Sequence, residues 1–238
     1  VTLYGGIKRL WHGVLPRATR RRFANALPGP LRRLKDGATA ALAKTARHDE
    51  IYDADYFAEA VDGPARTSAP HMAAAIVAEF RPRTVIDVGC GTGALLAAFR
   101  ELGPAARGFE YATAAVTLCR EAGLDVVQYD IEHDPVPDAR ADVVTSMEVA
   151  EHLPPALADR YCDTLCTLAP VVVLTAAIPG QGGHDHVNER PNSYWIGRMT
   201  ARGMRYDRSL SMRWRREWEA AGVVYFYARN VMVFRRAN

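Results

Sequence analysis

Cysteine is scarce in these 238 residues. There are four, Cys90, Cys119, Cys162 and Cys166, with no C-x-x-C pair and no spacing of paired metal ligands. A disulfide scaffold and a zinc ribbon are thereby excluded, and a reducing, cytoplasmic setting is expected. Long apolar runs are missing too: the best, Val171 to Ile178, is of strand length, well short of the roughly 20 residues that cross a bilayer. The amino end is basic but has neither a continuous apolar stretch nor a small-residue cleavage site, so no secretory leader is expected. Repeats and low-complexity segments are absent. The 18 Gly and 14 Pro are dispersed among 49% hydrophobic and 24% charged residues, which excludes collagen, fibrous and disordered classes. The length suits one sizeable α/β domain with an extension.

The formal charge of +3 hides an asymmetry. Residues 1–50 hold eleven Lys or Arg and three acids, a balance of +8; the remainder, with 19 basic and 24 acidic residues, stands at −5. Within the arm, Ile7, Leu10, Trp11, Val14 and Leu15 fall on one helix face, Pro16 interrupts, and Arg20-Arg21-Arg22 and a Pro-Gly-Pro turn precede an Ala-rich helical stretch. We read residues 1–48 as a basic helical extension. It is suited to packing in a homodimer, to a peripheral membrane contact or to a polyanion.

From Thr84 the pattern changes to short β-branched runs alternating with Ala- and Leu-rich stretches. Strands are expected at Val85–Val88, Ala106–Glu110, Asp125–Tyr129, Ala141–Ser146 and Val171–Ala177, with helices at Ala94–Leu102, Ala112–Ala122 and Pro155–Leu168 between them. A late helix around Met212–Ala220 and closing strands within Val223–Phe234 would follow. Regular alternation demands crossover connections, hence a Rossmann-like, doubly wound, mostly parallel sheet with helices on both faces.

The most specific motif is Val85-Ile86-Asp87-Val88-Gly89-Cys90-Gly91-Thr92-Gly93, a strand running into a glycine turn that opens a helix. Glycines let the backbone turn tightly and approach a ligand at the helix amino end. Gly89, Gly91 and Ala94 also satisfy a dinucleotide pattern, G-x-G-x-x-A, with Glu110 at the end of the next strand. Asp87 argues against that reading. A carboxylate two residues before the first glycine repels a pyrophosphate and favours a ligand carrying an ammonium and a sulfonium.

In these residues the chain resembles the class I S-adenosylmethionine-dependent methyltransferases over roughly residues 50–238, which places the domain at 49–238. The resemblance implies that Asp87, Gly89, Cys90, Gly91 and Gly93 hold the amino-acid end of the cofactor and that Glu110 takes the ribose hydroxyls. Asp130 and Ile131 would frame the adenine, and Tyr111 and Met147 would complete the cofactor set. His48 to Phe57 resembles the helix that such enzymes fold over the cofactor, with Tyr52 and Tyr56 near the site.

After the fourth strand, Glu148, Glu151 and His152 stand at i, i+3 and i+4, one face of a single helical turn. Two acids there, with no adjacent Lys or Arg, call for a cation. This E-x-x-E-H resembles a motif of the magnesium-dependent methyltransferases of ubiquinone biosynthesis and of the small-RNA 2′-O-methyltransferases, in which a second histidine follows the fifth strand. The resemblance implies Glu148, Glu151, His152 and His186 as ligands of Mg2+ or Mn2+, with His184 the alternative second histidine. Two carboxylates and two imidazoles suit these ions without excluding zinc or iron.

An alcohol, with a pKa near the roughly 15.7 of water, needs such an ion more than an imidazole to lose its proton. Whichever of His184, His186 and His152 stays off the metal would accept that proton, and His184 is the choice for the role. Tyr194, Trp195 and Arg198 offer a stacking wall and a cation suited to a sugar ring; the alternative is that they pack their helix on the sheet, with Trp195 or Ile196 buried in the core. The expectation is therefore metal-assisted O-methylation of a sugar or glycosylated small-molecule hydroxyl. RNA 2′-hydroxyls and quinone- or catechol-type acceptors are alternatives, although no RNA-binding module is recognisable. From another class comes a non-catalytic cofactor-binding scaffold.

Overall fold

The computed structural model describes residues 61–237. The basic extension, the segment His48 to Phe57 and the boundary at residue 49 lie outside them.

α1 (Asp62–Phe80) opens the described chain. Then follow β1 (Thr84–Val88), α2 (Ala94–Leu102), β2 (Ala105–Glu110), α3 (Thr113–Glu121), β3 (Asp125–Gln128) and β4 (Val143–Met147). The second half comprises two single 3-10 turns (Ala150–His152 and Pro155–Leu157), α4 (Ala158–Leu168), β5 (Val171–Thr175), α5 (Asn192–Thr200), β6 (Met204–Tyr206), α6 (Arg208–Ala220), α7 (Tyr225–Asn230) and β7 (Met232–Arg236).

The seven strands form one sheet in the order β3-β2-β1-β4-β5-β7-β6. The first five run parallel, and β7 lies antiparallel to both β5 and β6. This is the expected Rossmann-like sheet, with β7 as its one reversed strand.

Strand residues alternate between the two faces, as a two-residue repeat requires. Val144, Val172, Leu174, Met232 and Phe234 enter one core layer with Tyr161 and Leu165 of α4 and Trp195 of α5. Val85, Val143, Val173 and Val233 enter the opposite layer with Met72 and Ile76 of α1, Phe99 of α2, and Trp214 and Trp218 of α6. Because both faces are covered, the central strands read as nearly continuous apolar runs.

Three expectations need correction. The stretch from Val223 was read as strand because its β-branched and aromatic residues favour a pleated surface. Tyr225–Asn230 is instead the short helix α7, and only Met232–Arg236 pairs in the sheet; the partner strand β6 lies earlier, beyond α5. Glu148, Glu151 and His152 do not share a helical turn: Glu148 sits in the left-handed region at φ 54°, and the 3-10 turn begins only at Ala150. Trp195 is fully buried, with its ring edge-on to Tyr161 and Tyr194, so it is a core residue.

The last point is testable. Trp195→Ala should lower the unfolding free energy by about 3–5 kcal/mol, the range for emptying a large aromatic from a core. Urea unfolding measures it, and a loss below 1 kcal/mol, roughly the scale of a surface substitution, would remove Trp195 from the core.

Candidate active site

The chain reverses direction across the sheet between β1 and β4, and in open α/β sheets ligands bind beyond the carboxyl ends of strands at such a point. The cleft lies there. It encloses about 370 Å³, within the usual span for small-molecule sites, and is lined by the segments that follow all five parallel strands.

One side is built by the glycine turn. Gly89, Gly91 and Gly93 all have positive φ, between 53° and 78°, where a side chain would be strained. A Cβ on Gly89 would also come within 2.4 Å of Val149, so the turn and the segment after β4 touch through a bare α-carbon. Gly93 faces neither cleft nor ligand space; it caps α2, and a Cβ there would meet Leu124 at 2.4 Å. Its role is to set the backbone.

Glu110, at the end of β2, accepts the Gly91 N–H at 2.8 Å and the Ala112 N–H at 2.9 Å. Burial raises its carboxyl above the usual range, and the amides of Ala112, Gly91 and Tyr111 oppose the rise. Asp87 and Cys90 line a smaller adjoining hollow under α1. Thr145 Oγ1 donates to Asp87 at 2.6 Å across the β1–β4 pair. Burial pushes the Asp87 carboxyl up to about 7, against the Thr145 hydrogen bond and with help from the charge on Glu110.

Tyr111, Asp130, Ile131 and Met147 line the main cleft. Asp130 is held by its own loop, accepting from the Glu132 N–H and facing His133 Nδ1, both at 2.8 Å. Arg160 of α4 donates to the carbonyls of Ile131 and Asp134, tying that loop to the body of the fold.

The other side is built after β4 and β5. Among the described residues, Glu151, His152 and His186 bring one ligand atom each within 4.8 Å of one another, the compactness a metal ion needs. Glu151 is fully buried, and neither carboxylate oxygen has a hydrogen-bond partner. Burial, then the charge on Glu148, holds its carboxyl well above the usual range. Burial and the neighbouring His186 push the His152 imidazole down to about 3, so it is neutral and offers a lone pair at physiological pH. The two rings meet edge to face, 5.0 Å between centroids.

Glu148 lines the same cleft but stands outside this trio. Its left-handed backbone turns the side chain to Gln181, whose Nε2 donates at 2.6 Å, and Asn230 Nδ2 lies at 3.5 Å. His184 lines the cleft with its ring nitrogen 3.0 Å from the Asp185 carboxylate.

Tyr194 and Arg198 do not line the cleft among the described residues. The Arg198 guanidinium lies over the Tyr194 ring at 4.1 Å, within α5. In their place Tyr225, Phe226 and Tyr227 of α7 form an aromatic wall that the sequence reading took for strand. Their one legible signal is three consecutive aromatics, more than a strand with a single buried face requires.

Residues 52–223 match the model of a methyltransferase domain family, most of the chain. The chain belongs to this family of class I S-adenosylmethionine-dependent methyltransferases. It is 37% identical over 91 residues to a ubiquinone biosynthesis O-methyltransferase of Methylococcus capsulatus, covering 35% of this chain and 38% of that protein. A protein of the same description from Pseudomonas paraeruginosa is 30% identical over 120 residues, 47% of each. The matched regions therefore span less than half the length of these curated relatives. In structure the chain resembles the magnesium protoporphyrin IX methyltransferase of Synechocystis with bound S-adenosylhomocysteine, at a TM-score of 0.56 and 16% identity, over 73% of this chain and 84% of that one. It likewise resembles a sugar N-methyltransferase from Streptoalloteichus, at a TM-score of 0.55 and 17% identity, over 73% and 88%. At these identities the likeness is one of fold.

The expectation that Asp87 meets the ammonium of the cofactor carries a pH dependence that tests it. With a carboxyl near 7, binding a cationic ammonium requires the proton to leave, so affinity should rise with pH. S-adenosylhomocysteine should bind up to about tenfold more tightly per pH unit below 7, the limit for one coupled proton, and level off above it. Calorimetric titration from pH 5.5 to 8.5 checks this, with Asp87→Asn expected to bind weakly and to lose the slope.

Proposed function

We propose that this methyltransferase transfers a methyl group to one hydroxyl of a neutral ring carrying two adjacent oxygens, with the help of a divalent ion, Mg2+ or Mn2+. The observation that carries the reading is the buried Glu151 carboxylate, both oxygens without a partner, grouped with His152 and His186 on the wall of the cleft. An unpaired buried carboxylate is costly unless a cation offsets it. The donor set of one carboxylate and two imidazoles fits a divalent ion. Glu148 would join it only by exchanging the Gln181 amide for the ion.

In this reading Asp87, Gly89, Cys90 and Gly91 hold the amino-acid end of S-adenosylmethionine and Glu110 the ribose, while Asp130 and Ile131 flank the adenine. A divalent ion, when bound, supplies charge that eases loss of the hydroxyl proton. His184, half-exposed on the cleft wall, accepts that proton at a ring nitrogen. The acceptor oxygen then displaces the sulfonium in line: the O–CH3 bond forms as the S–CH3 bond breaks, and S-adenosylhomocysteine leaves.

The cleft lining favours a catechol- or quinol-type acceptor. Leu153, Pro154, Ile131, Tyr225 and Phe226 are apolar or aromatic, and among the described residues no Lys or Arg lines the cleft. A phosphate-bearing acceptor such as RNA finds no countercharge there. The O-methyltransferase descriptions of the curated relatives support the same choice. A sugar hydroxyl is the second reading, now resting on the exposed Tyr225 ring as a stacking platform in place of Trp195.

The four cysteines are free and buried, which supports a reducing cytoplasm, and no helix among the described residues is long and apolar enough to cross a membrane. Residues 1–48 are proposed to attach the domain to an anionic surface or to a second copy of the chain, on their charge alone. A non-catalytic scaffold would have no use for a buried carboxylate aimed into a cofactor cleft.

Methyl transfer from labelled S-adenosylmethionine to catechols, mono- and oligosaccharides and RNA, with and without EDTA, tests the reading. Monomethylated catechol should form, and EDTA or Glu151→Ala should lower the rate by about 10²–10⁴-fold, the range for losing assistance to proton transfer. Full activity in EDTA would sink the ion; a sugar used in preference to every phenol would replace the acceptor.

A further inference from the structure

The loop after β5 contains a carboxylate that the reaction does not use. Glu189 accepts the Gly182 N–H at 2.7 Å on Oε1 and the Gly180 N–H at 2.7 Å on Oε2. The same Oε1 lies 3.0 Å from His186 Nδ1. An oxygen already serving as acceptor toward a backbone amide presents an acceptor to the ring as well, so the proton of the His186 ring belongs on Nδ1. Nε2 then carries the lone pair, and Nε2 is the atom that stands 3.9 Å from Glu151 Oε1.

A second constraint comes from the other side of the ring. A Cβ on Gly183 would lie 2.2 Å from His186 Nε2 and 2.4 Å from Cε1, so the imidazole rests directly against this glycine. Gly183 has an ordinary backbone conformation; its lack of a side chain serves close approach, not a turn. Ring, glycine and carboxylate belong to one short loop, whose far end is pinned by the Val187 and Asn188 N–H groups on the Glu151 carbonyl.

We propose that Glu189 is the positioning residue of the active site: with Gly183 it fixes both the tautomer and the orientation of His186, so that Nε2 offers its lone pair to the space shared with Glu151 and His152. Glu189 touches neither cofactor nor acceptor in this arrangement and acts through the histidine. The inference deepens the divalent-ion reading and rests on it for its purpose, but the tautomer is a property of the ion-free protein.

Long-range proton–nitrogen correlation spectra of the metal-free protein, with His186 assigned by a His186→Asn variant, read the tautomer. A protonated Nδ1 and a bare Nε2 are expected for His186. Glu189→Ala should give a mixture of tautomers and bind Mn2+ about 10- to 100-fold more weakly, the usual effect of removing a partner behind a ligating imidazole. Affinity for S-adenosylhomocysteine should stay unchanged and show that the fold is intact. If the alanine protein does not fold, Glu189→Gln serves: its single carbonyl oxygen must be shared between two amides and the ring, and a partial shift of the His186 signals is expected. A wild-type ring protonated on Nε2, or ring signals unmoved in the variant that folds, overturns the proposal. Absence of Mn2+ binding to the wild-type protein would instead sink the ion reading, while the ring signals still decide the role of Glu189.

Discussion

The backbone carbonyl of Glu151 accepts two amide protons, from Val187 at 2.9 Å and Asn188 at 3.0 Å, and this joint closes the loop after β5 onto the turn after β4. Much of the acceptor side of the site depends on it. It brings His186 to His152 and Glu151 although 34 residues separate the histidines in sequence, and it does so through backbone atoms, leaving the Glu151 carboxylate uncommitted. One residue thus supplies the anchor through its main chain and the candidate ligand through its side chain. The β4–β5 register, with Met147 opposite Thr175, sets the distance over which the joint has to work.

The two sides of the cleft are stabilised differently. On the side of the glycine turn the acids are already paired: Glu110 with two amides, Asp87 with Thr145, Asp130 with its own loop. Those acids are held in place by the fold itself. On the opposite side neither Glu151 oxygen has a hydrogen-bond partner, and burial, then the charge on Glu148, holds its carboxyl well above the usual range. In the proposed reading a cation would offset the cost of burying such a group. Glu148 shows the contrast: three residues away, it has found Gln181 and Asn230.

Charge follows the same division. The −5 balance beyond residue 50 includes Asp87, Glu110, Glu148 and Glu151, all beside one cleft, where in the proposed reading a sulfonium cofactor and a divalent ion would be the compensating charges. The arginines of the body are used elsewhere. Arg202 bridges α5 to Asp159 and Asp163 of α4, and Arg235 joins β7 to Glu79 and Asp207. Among the described residues, no Lys or Arg lines the cleft.

The sequence by itself determined the five parallel strands, the glycine turn and the acids beside it, because each is local. A strand buried on both faces, a turn needing positive φ at Gly89, Gly91 and Gly93, and an acid at the end of β2 are written in contiguous residues. What depends on meetings between distant segments was decided only by the tertiary structure. Helical spacing put Glu148, Glu151 and His152 on one face, but the Thr175 hydroxyl oxygen of the neighbouring strand accepts the Glu148 backbone N–H, and the left-handed backbone at Glu148 keeps it out of the turn that follows. Tyr225 and Phe226 read as strand until the strand order left no partner for them and placed them over the cleft as helix. For Trp195 the sequence left a sugar platform and the core both open, and the packing of α5 onto Tyr161 put it in the core. In each case local propensity was outweighed by packing, since burying an aromatic or pairing a backbone amide involves more free energy than the few tenths of a kcal/mol, roughly, by which ordinary residues differ in propensity.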